Sequence, residues 1–583
     1  MKLSEALKIQ QSAPEAATRF DVLLACGFTP LHLRTFLLAE LQLAVPGRHV
    51  RVETGLFEDL IGTLDAAGKR EWHGLAIALE WADLDPRLGF RSAGPWGPGA
   101  TADIVSNARA MLDRIAAALV SIPPGLAAAI SMPILPLPPI FHFSELQASE
   151  PEIEIRRSVA EFESQLIERS NIRLLNASWL AEQSPPGRRY DLQSDLLSGL
   201  PYTLNHTSVL GRALARLLVP SVPKKGLITD LDDTLWNGIL GDAGPEGIDW
   251  DLASRQQLHG LYQKLLSTFS EEGILIGVAS KNDPALVQKA FQRGDILLRP
   301  ERIFPIEASW NAKSASVSEI LTAWNVSADS VVFVDDSPME LAEVAMVHPE
   351  IECIRFPKDD YSGALEMFRR LRETFARDRI YEEDGLRLES VRNSRAAVHA
   401  LSHAPAEAAE AFLQRMEAVV EFQFGEADAR CLDLINKTNQ FNLNGSRLTE
   451  AEWAKRLEMP DSVLMSVTYR DKFGPLGKIA VLQGCRRAGV LHIACWVMSC
   501  RAFARRIEHQ CLKTLFQREG VREISFDFAA TPRNGPLQDF FAAILGSRPE
   551  GPVILSREDF EKKCPPLYHR GAVALSAMAA PSG

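Results

Sequence analysis

The sequence predicts a multidomain α/β protein in which two α/β units are followed by an α+β unit. At 583 residues the chain far exceeds one domain of about 100–200 residues, so it divides among several cores. Short apolar runs alternate with helical stretches up to about residue 362. Beyond 402, strand-like runs dominate, with helices between them.

In the first unit, residues 1–218, "DVLLACGF" and "HGLAIALEW" read as strands and "TADIVSNARAMLDRIAAALVS" as a helix. The run "PILPLPPIF", Pro133 to Phe141, reads as a stiff extended connection. "SVPKKG", Ser221 to Gly226, introduces the second unit, residues 222–362. There "GLIT" is a short buried strand that runs into Asp230, Asp232 and Asp233. Leu258, Leu261, Tyr262, Leu265, Leu266 and Phe269 recur at helical spacing and would cover one sheet face. "GILIGVAS" is a second strand ending in Ser280 and Lys281, after which Asp283 and Pro284 open a helix that Gly294 closes. "SVVFVDDSP" is a third, ending in Asp335 and Asp336, with Lys313 on the segment before it. Residues 363–401 read as a charge-rich helical connector. The third unit, 402–565, has strand candidates "EAVVEFQF", "SVLMSVTYR", "GKIAVLQGC", "LHIACWVMSC" and "REISFDFAA". The tail 566–583 reads as frayed, and no internal repeat is evident.

An apolar fraction of 46% and a charged fraction of 24% are those of a soluble globular protein. The net charge of −12 disfavours a nucleic-acid partner, because phosphate-backbone binding needs a basic face. The N-terminal stretch has no apolar signal region, and no run of eighteen apolar residues occurs, so a cytoplasmic protein without a membrane partner is expected. Eight cysteines without a CxxC pair fit reduced thiols and disfavour structural zinc or disulfides.

In an open parallel sheet, ligands bind beyond the carboxyl ends of the strands. Three such ends deliver carboxylates, a hydroxyl and a lysine to one edge. Packed carboxylates repel one another unless a cation holds them, and a hard divalent ion, most simply Mg²⁺, takes oxygen ligands and clamps phosphate. One carboxylate can attack phosphorus, and another two residues on can protonate the leaving oxygen. Any single aspartate of this kind is more often a cap or turn former. Here D-x-D-x-T at Asp230, Asp232 and Thr234, the strand-end Ser280, Lys313 and the "VDDSP" pair occur in order, and together they resemble the four motifs of the haloacid dehalogenase (HAD) phosphatase superfamily. The resemblance implies that Asp230 is the nucleophile and Asp232 the general acid, then the base for water. It implies that Thr234, Ser280, Lys281, Asn282 and Lys313 bind phosphate. It implies that Asp335 and Asp336 hold Mg²⁺ with Asp230 and the main-chain carbonyl of Asp232. A Rossmann-like domain with little or no cap is expected from the short stretch between the first two motifs. Such a site admits a phosphate carried on a large substrate.

The phrases "DLDDTLWNG", "ASKND", "INKTNQFNLNGSR" and "WVMSCRAFARRIEHQ" resemble the FkbH family, HAD-like proteins of polyketide pathways that load a glyceryl unit from 1,3-bisphosphoglycerate onto an acyl carrier protein. The resemblance covers about 222–545 and implies a GNAT-like acyltransferase domain after the HAD domain and an SGNH-like domain before it. Cys500 is expected where a strand turns into a helix, with Arg501, Arg505 and Arg506 in its first turns. A helix N-terminus and guanidinium groups lower a thiol pKa and suit an anionic phosphoacyl substrate, although a lone cysteine is usually a small buried hydrophobe. The acetyltransferase loop R/Q-x-x-G-x-G/A is broken here by Ala504 and Arg506, which disfavours acetyl-CoA. Lys437, Asn439, Gln440 and Asn442 either orient a hydroxylated acyl chain or satisfy a loop; Arg533 and Asn534 have a weaker claim. The SGNH phrase Gly-Asp-Ser is missing from "LLACGFTPLHL", which leaves Cys26, Thr29 and His206 as remnants in a scaffold or docking domain.

These readings combine into a bifunctional acyltransferase/phosphatase. Cys500 would attack the acyl phosphate, the HAD domain would remove the remaining phosphate from the bound unit, and the thioester would pass to a phosphopantetheine thiol. An acidic carrier protein would meet a basic patch of Arg501, Arg505, Arg506 and Lys437. Two alternatives stand beside this: a Mg²⁺-dependent phosphatase of a sugar or glycan phosphate with a non-catalytic C-terminal binding domain, and an inactive HAD fold serving as an assembly platform.

Overall fold

Three sheets organise the chain in a computed structural model that describes residues 1–12, 18–92, 98–138, 144, 146–377, 380–402, 410–411, 413–503 and 505–573. Ala504, the last residues of the Pro133–Phe141 run, the first residues of the third predicted unit and most of the predicted tail lie outside the described residues.

The first compact unit spans residues 1–221 together with 448–458. Its strands β1 (Thr18–Ala25), β2 (Arg48–Thr54), β3 (Gly74–Ala78), β4 (Ala128–Ser131) and β5 (Ile172–Leu174) form a sheet in the order β2-β1-β3-β4-β5, parallel throughout. Burial on both faces explains why β1 and β3 read as apolar runs. Leu23, Leu75 and Ile77 pack with Ile104 and Leu112 of the helix Thr101–Val120. On the other face Val22 and Leu24 meet Leu37 and Leu214 from the helices Leu31–Ala44 and Leu204–Leu218. The helix Glu450–Glu458 belongs to this unit although it falls within the stretch read as the third. It is held by Arg48–Glu452 (2.6 Å), Arg173–Glu450 (3.0 Å) and Lys455–Glu71 (2.7 Å).

The second compact unit spans 222–447 and 459–583. Its parallel sheet consists of β6 (Gly226–Thr229), β7 (Leu275–Ser280), β8 (Ile306–Ala308), β9 (Val331–Asp335) and β10 (Glu352–Arg355), in the order β10-β9-β6-β7-β8. Tyr262, Leu266 and Phe269 of the helix Gln257–Glu271 cover one face, and Val317, Ile320 and Trp324 of the helix Lys313–Trp324 cover the other. Trp324 lies so close to β6 that a Cβ at Gly226 would sit 2.4 Å from its ring, so glycine is required there. The helix Tyr361–Thr374 adds Ala364, Met367 and Leu371 to the same core, so this layer continues past residue 362 into the stretch read as a connector. The helix Pro284–Phe291 stops short of Gly294, because Gln292 already caps it.

The same unit carries a seven-stranded sheet, β16-β15-β14-β13-β12-β11-β17. It contains β11 (Val419–Phe424), β12 (Ser462–Asp471), β13 (Gly474–Arg487), β14 (Val490–Met498), β15 (Glu523–Phe526), β16 (Val553–Ser556) and β17 (Arg570–Val573). β11 to β14 are antiparallel, whereas β14 pairs in parallel with β15 at Leu491–Ile493 only. Beyond that point Phe441–Leu443 takes the β14 edge: Leu443 N donates to Trp496 O (2.9 Å) and Met498 N to Phe441 O (3.0 Å). Among the described residues no helix is long and apolar enough to cross a membrane.

Glu80, 4% exposed at the end of β3, accepts hydrogen bonds from Tyr202 Oη (2.6 Å) and from the Leu135 and Ile134 amides (3.1 and 3.3 Å). Burial dominates these and pushes its pKa up to about 8. A raised carboxyl pKa means that the folded state binds more protons than the unfolded state between about pH 4.5 and 8, so this group's stabilisation is complete below that window and is lost as pH rises through it. Glu80→Gln should flatten the decline in denaturant stability over that window. An unchanged slope would show that Glu80 is not the group responsible.

Candidate active site

β6, β7 and β9 lie side by side, so their carboxyl ends bring Asp230, Ser280 and Asp335 to one edge. Lys313, the first residue of its helix and 1% exposed, enters from beside them. Its Nζ lies 2.7 Å from Asp230 Oδ1, 2.7 Å from Glu340 Oε2 and 3.1 Å from Asp335 Oδ2. Burial pushes the Asp230 carboxyl up to about 6 against the pull of Lys313. Burial and the Asp230 charge push Asp335 up to about 8. Burial opposes the charge on Lys313, but the three carboxylates outweigh it and hold its pKa above the ordinary value. Glu340, despite burial, is held below the usual carboxylate range by Lys313 and by Lys281 at 3.0 Å.

Asp232 is fixed by three donors: Trp236 Nε1 (3.0 Å) and Leu240 N (3.2 Å) to Oδ1, and Asn282 Nδ2 (3.0 Å) to Oδ2. The same Asn282 amide donates to Ser280 Oγ at 3.0 Å, tying the ends of β6 and β7 together. Asp233 adopts left-handed backbone (φ 52°), a conformation that aspartate tolerates better than most residues. Its carboxylate receives Gly238 N (2.9 Å) and Lys358 Nζ (2.6 Å). Thr234, fully buried, accepts a hydrogen bond from Asp336 N at 3.1 Å, so its hydroxyl joins the loops after β6 and β9. Between β6 and β7 the chain makes only a compact flap, including the short helix Leu240–Ala243, and the helix Gln257–Glu271.

Three buried or half-buried carboxylate oxygens, from Asp230, Asp335 and Glu340, lie within 4.8 Å of one another. The Asp336 carboxylate points elsewhere and pairs with Lys358 at 3.0 Å. Glu340, which the sequence reading did not name, lies in this cluster, and Asp336 does not. The physical reason is local: Pro338 opens a helix that turns Glu340 back toward Lys313 within its first turn. Lys281 likewise faces Glu340 and Glu343. The donor set, hard oxygens with a negative excess over the one ammonium they enclose, fits a Mg²⁺-type ion.

No family model matches the chain, and no curated protein matches it. Among solved structures, the chain superposes on the N-terminal part of the protein BF1531 from Bacteroides fragilis, described as containing a phosphatase domain complexed with Mg. The TM-score is 0.51 at 16% identity, covering 65% of this chain and 100% of that one. An uncharacterized protein from Corynebacterium glutamicum ATCC 13032 Kitasato aligns at 16% identity over 25% of this chain and 94% of its own, with a TM-score of 0.19. The first likeness is one of fold.

A second cluster lies at the other end of β6. Lys225 directly precedes that strand, and it lines a cavity with Arg387, Lys437, Asn439, Gln440, Cys500 and Arg501. Cys500 sits in a single 3₁₀ turn, Cys500–Ala502, and the following α-helix begins only at Ile507, after Arg506 in left-handed backbone (φ 57°). The expected helix N-terminus beside the thiol is thus absent, and the local positive charge comes from side chains. Burial holds Lys225 down to about 8 and Arg387 to about 10, and lowers Arg501, while the nearby Cys500 acts to raise all three. Arg501 and Arg505 are each 7% exposed, so they do not form the expected surface patch; Arg505 Nη1 donates to Arg501 O (2.7 Å). Arg506 pairs with Glu410 (3.4 Å) and Lys437 with Asp433 (2.5 Å).

Other predicted residues are engaged elsewhere. Asn442, 2% exposed, donates to Thr438 O (3.2 Å) and accepts from Gly445 N (2.9 Å), holding its own loop, while the Asn439 side chain accepts from Arg447. Asn534 is buried and donates to Asn442 O (3.0 Å), and Arg533 pairs with Asp329 (2.8 Å). Cys26 is buried against Phe28 O (3.4 Å), burial pushing its thiol far up. Thr29 donates to Ser198 O (2.8 Å), and His206, held down to about 3 by burial, contacts Ser184 Oγ (2.9 Å).

Lys313→Met removes the ammonium from among three carboxylates. Without divalent cation the variant should lose about 3–5 kcal/mol of stability, the cost of stranding buried charge. Mg²⁺ should then raise its Tm more than it raises that of the wild type, because the ion supplies the missing counter-charge. Melting curves with Mg²⁺ and with chelator test this. Equal Mg²⁺ responses in the two proteins would remove the carboxylate cluster as the ion site.

Proposed function

We propose that the chain is a HAD-type phosphatase joined to an acyl-transfer site. In this reading it loads a glyceryl or related hydroxyacyl unit from 1,3-bisphosphoglycerate onto the phosphopantetheine arm of an acyl carrier protein, in polyketide or related metabolism. The observation that carries the phosphatase half is Lys313 buried among Asp230, Asp335 and Glu340, with Asp232 fixed two residues beyond Asp230. Asp230 and Asp335, with the main-chain carbonyl of Asp232, would hold Mg²⁺, which supplies positive charge to the phosphoryl oxygens when bound.

Asp230 attacks phosphorus and forms an aspartyl phosphate as the ester P–O bond breaks. Asp232 gives its proton to the leaving oxygen, then takes one from the water that cleaves the aspartyl phosphate. Ser280 and Lys313 hold phosphoryl oxygens as charge develops. Asn282 positions Asp232 and Ser280 through one amide group. The compact flap leaves the site open to a phosphate on a macromolecule. The parallel β14/β15 pair beside antiparallel strands supports a GNAT-like origin for the third sheet, and the all-parallel first sheet supports an SGNH-like one. In the acyl-transfer half, the Cys500 thiolate attacks the acyl carbon and inorganic phosphate leaves with the C–O electron pair. Lys225, Arg387 and Arg501 line the same cavity and supply positive charge toward the anionic acyl phosphate.

Asp230→Asn should abolish Mg²⁺-dependent hydrolysis of an aryl phosphate, and Asp232→Asn should slow it by about 10²–10⁴-fold. Steady-state assays with purified protein measure both. Turnover by Asp230→Asn at the wild-type rate would sink the aspartyl-phosphate assignment.

A further inference from the structure

The short helix Leu192–Ser198 of the first unit is built inside out. A helix on a globular surface turns its apolar side chains to the core and its charged ones to water. Here the buried side chain is Asp195, whereas Leu192 and Leu196 are about half exposed and Leu197 is 76% exposed. Named partners hold the aspartate inside: Tyr190 Oη donates to its Oδ2 (2.7 Å), and the Arg91 guanidinium donates to its main-chain carbonyl.

The apolar surface continues onto the loops after β1 and β2. The Thr29 hydroxyl donates to Ser198 O and its amide to Gly199 O, both at 2.8 Å, and a Cβ at Gly199 would lie 3.2 Å from the Phe57 ring. Phe57 is about half exposed, and its neighbour Leu56 is 75% exposed. Single leucines at a surface need no explanation, but a contiguous group of five large apolar side chains marks an interaction face. The adjoining crevice beside Gly27 is already filled, because a Cβ there would sit 1.8 Å from Asp83 Oδ1. The face therefore suits a broad partner and not a small ligand.

Charge selects that partner. With a net charge of −12, two copies of the chain repel as a whole and meet most easily where charge is absent or engaged. Asp191 accepts from the Ser194 amide and hydroxyl (3.0 and 2.9 Å), and Asp59 from the Gly62 amide (2.9 Å). Glu58, exposed beside Phe57, pairs with no cation among the described residues. Leu192 and Leu196 stand one turn apart, so an antiparallel copy sets Leu192 of each chain against Leu196 of the other about a two-fold axis. Ten apolar side chains, five from each copy, then form the apolar centre that an interface of about 800 Å² per partner requires. We propose that this face joins two copies of the chain in an isologous dimer centred on the helix Leu192–Ser198.

Sedimentation velocity of the full-length protein at about 10 µM tests this. The wild type should sediment as a dimer that tightens as NaCl is raised, because salt screens the repulsion between like-charged copies. Leu196→Lys and Leu197→Lys should each weaken the dimer by at least about thirtyfold, the weight of a hot-spot side chain, while Leu197→Met stays near wild type. All three side chains face solvent, so the circular dichroism spectra should not change. A wild type that remains monomeric at about tenfold higher concentration would overturn the proposal. So would a dimer indifferent to both lysine variants, or one that loosens with salt. Flotation of a monomeric wild type with phosphatidylcholine vesicles, abolished by Leu197→Lys, would overturn it in favour of a lipid surface.

Discussion

The Lys313 ammonium is the interaction on which the carboxylate edge depends. It is almost fully buried and touches Asp230, Asp335 and Glu340, which come from the loop after β6, the end of β9 and the helix after β9. Without a cation those carboxylates would neutralise by taking up protons. With it, three separate chain segments are drawn to one point. The surrounding bonds, Asn282 to Asp232 and Thr234 to the Asp336 amide, then fix the orientation of each loop.

The two ends of β6 carry opposite charge. Aspartates follow it, whereas a lysine precedes it in a cavity lined by arginines. The chain's net charge of −12 conceals this polarity, because it sums over all 583 residues. A negative edge suits a hard divalent cation, and a positive cavity suits an anion. One short strand thus separates two opposed electrostatic environments within one compact unit.

Much of this was legible in the sequence where local pattern and burial agree. The runs GLIT, GILIGVAS and VVFVD are apolar because both faces of a parallel sheet are covered, and they appear as β6, β7 and β9. The strands β16 and β17 escaped because four residues at a sheet edge carry too little periodicity. Glu340 escaped because its role depends on a helix turning back toward a lysine distant in sequence. Lys225 and Arg387 escaped for a related reason: their significance comes from facing Cys500 across the fold, and nothing in their own neighbourhoods announces it. The helix expected after Cys500 failed because the left-handed residue Arg506 interrupts what composition alone reads as continuous.

The helix Glu450–Glu458 gives the first unit a discontinuous sequence. Arg48, Glu71 and Arg173 wait for partners that lie more than 220 residues beyond the unit's main segment, at Glu452, Lys455 and Glu450. On the ribosome, chain is made at about 5–20 residues per second, so residues 1–221 emerge roughly 10–50 s before the helix that completes them. During that interval the parallel sheet must persist without these three ion pairs. Biogenesis of the N-terminal unit therefore ends only when most of the protein has already been translated.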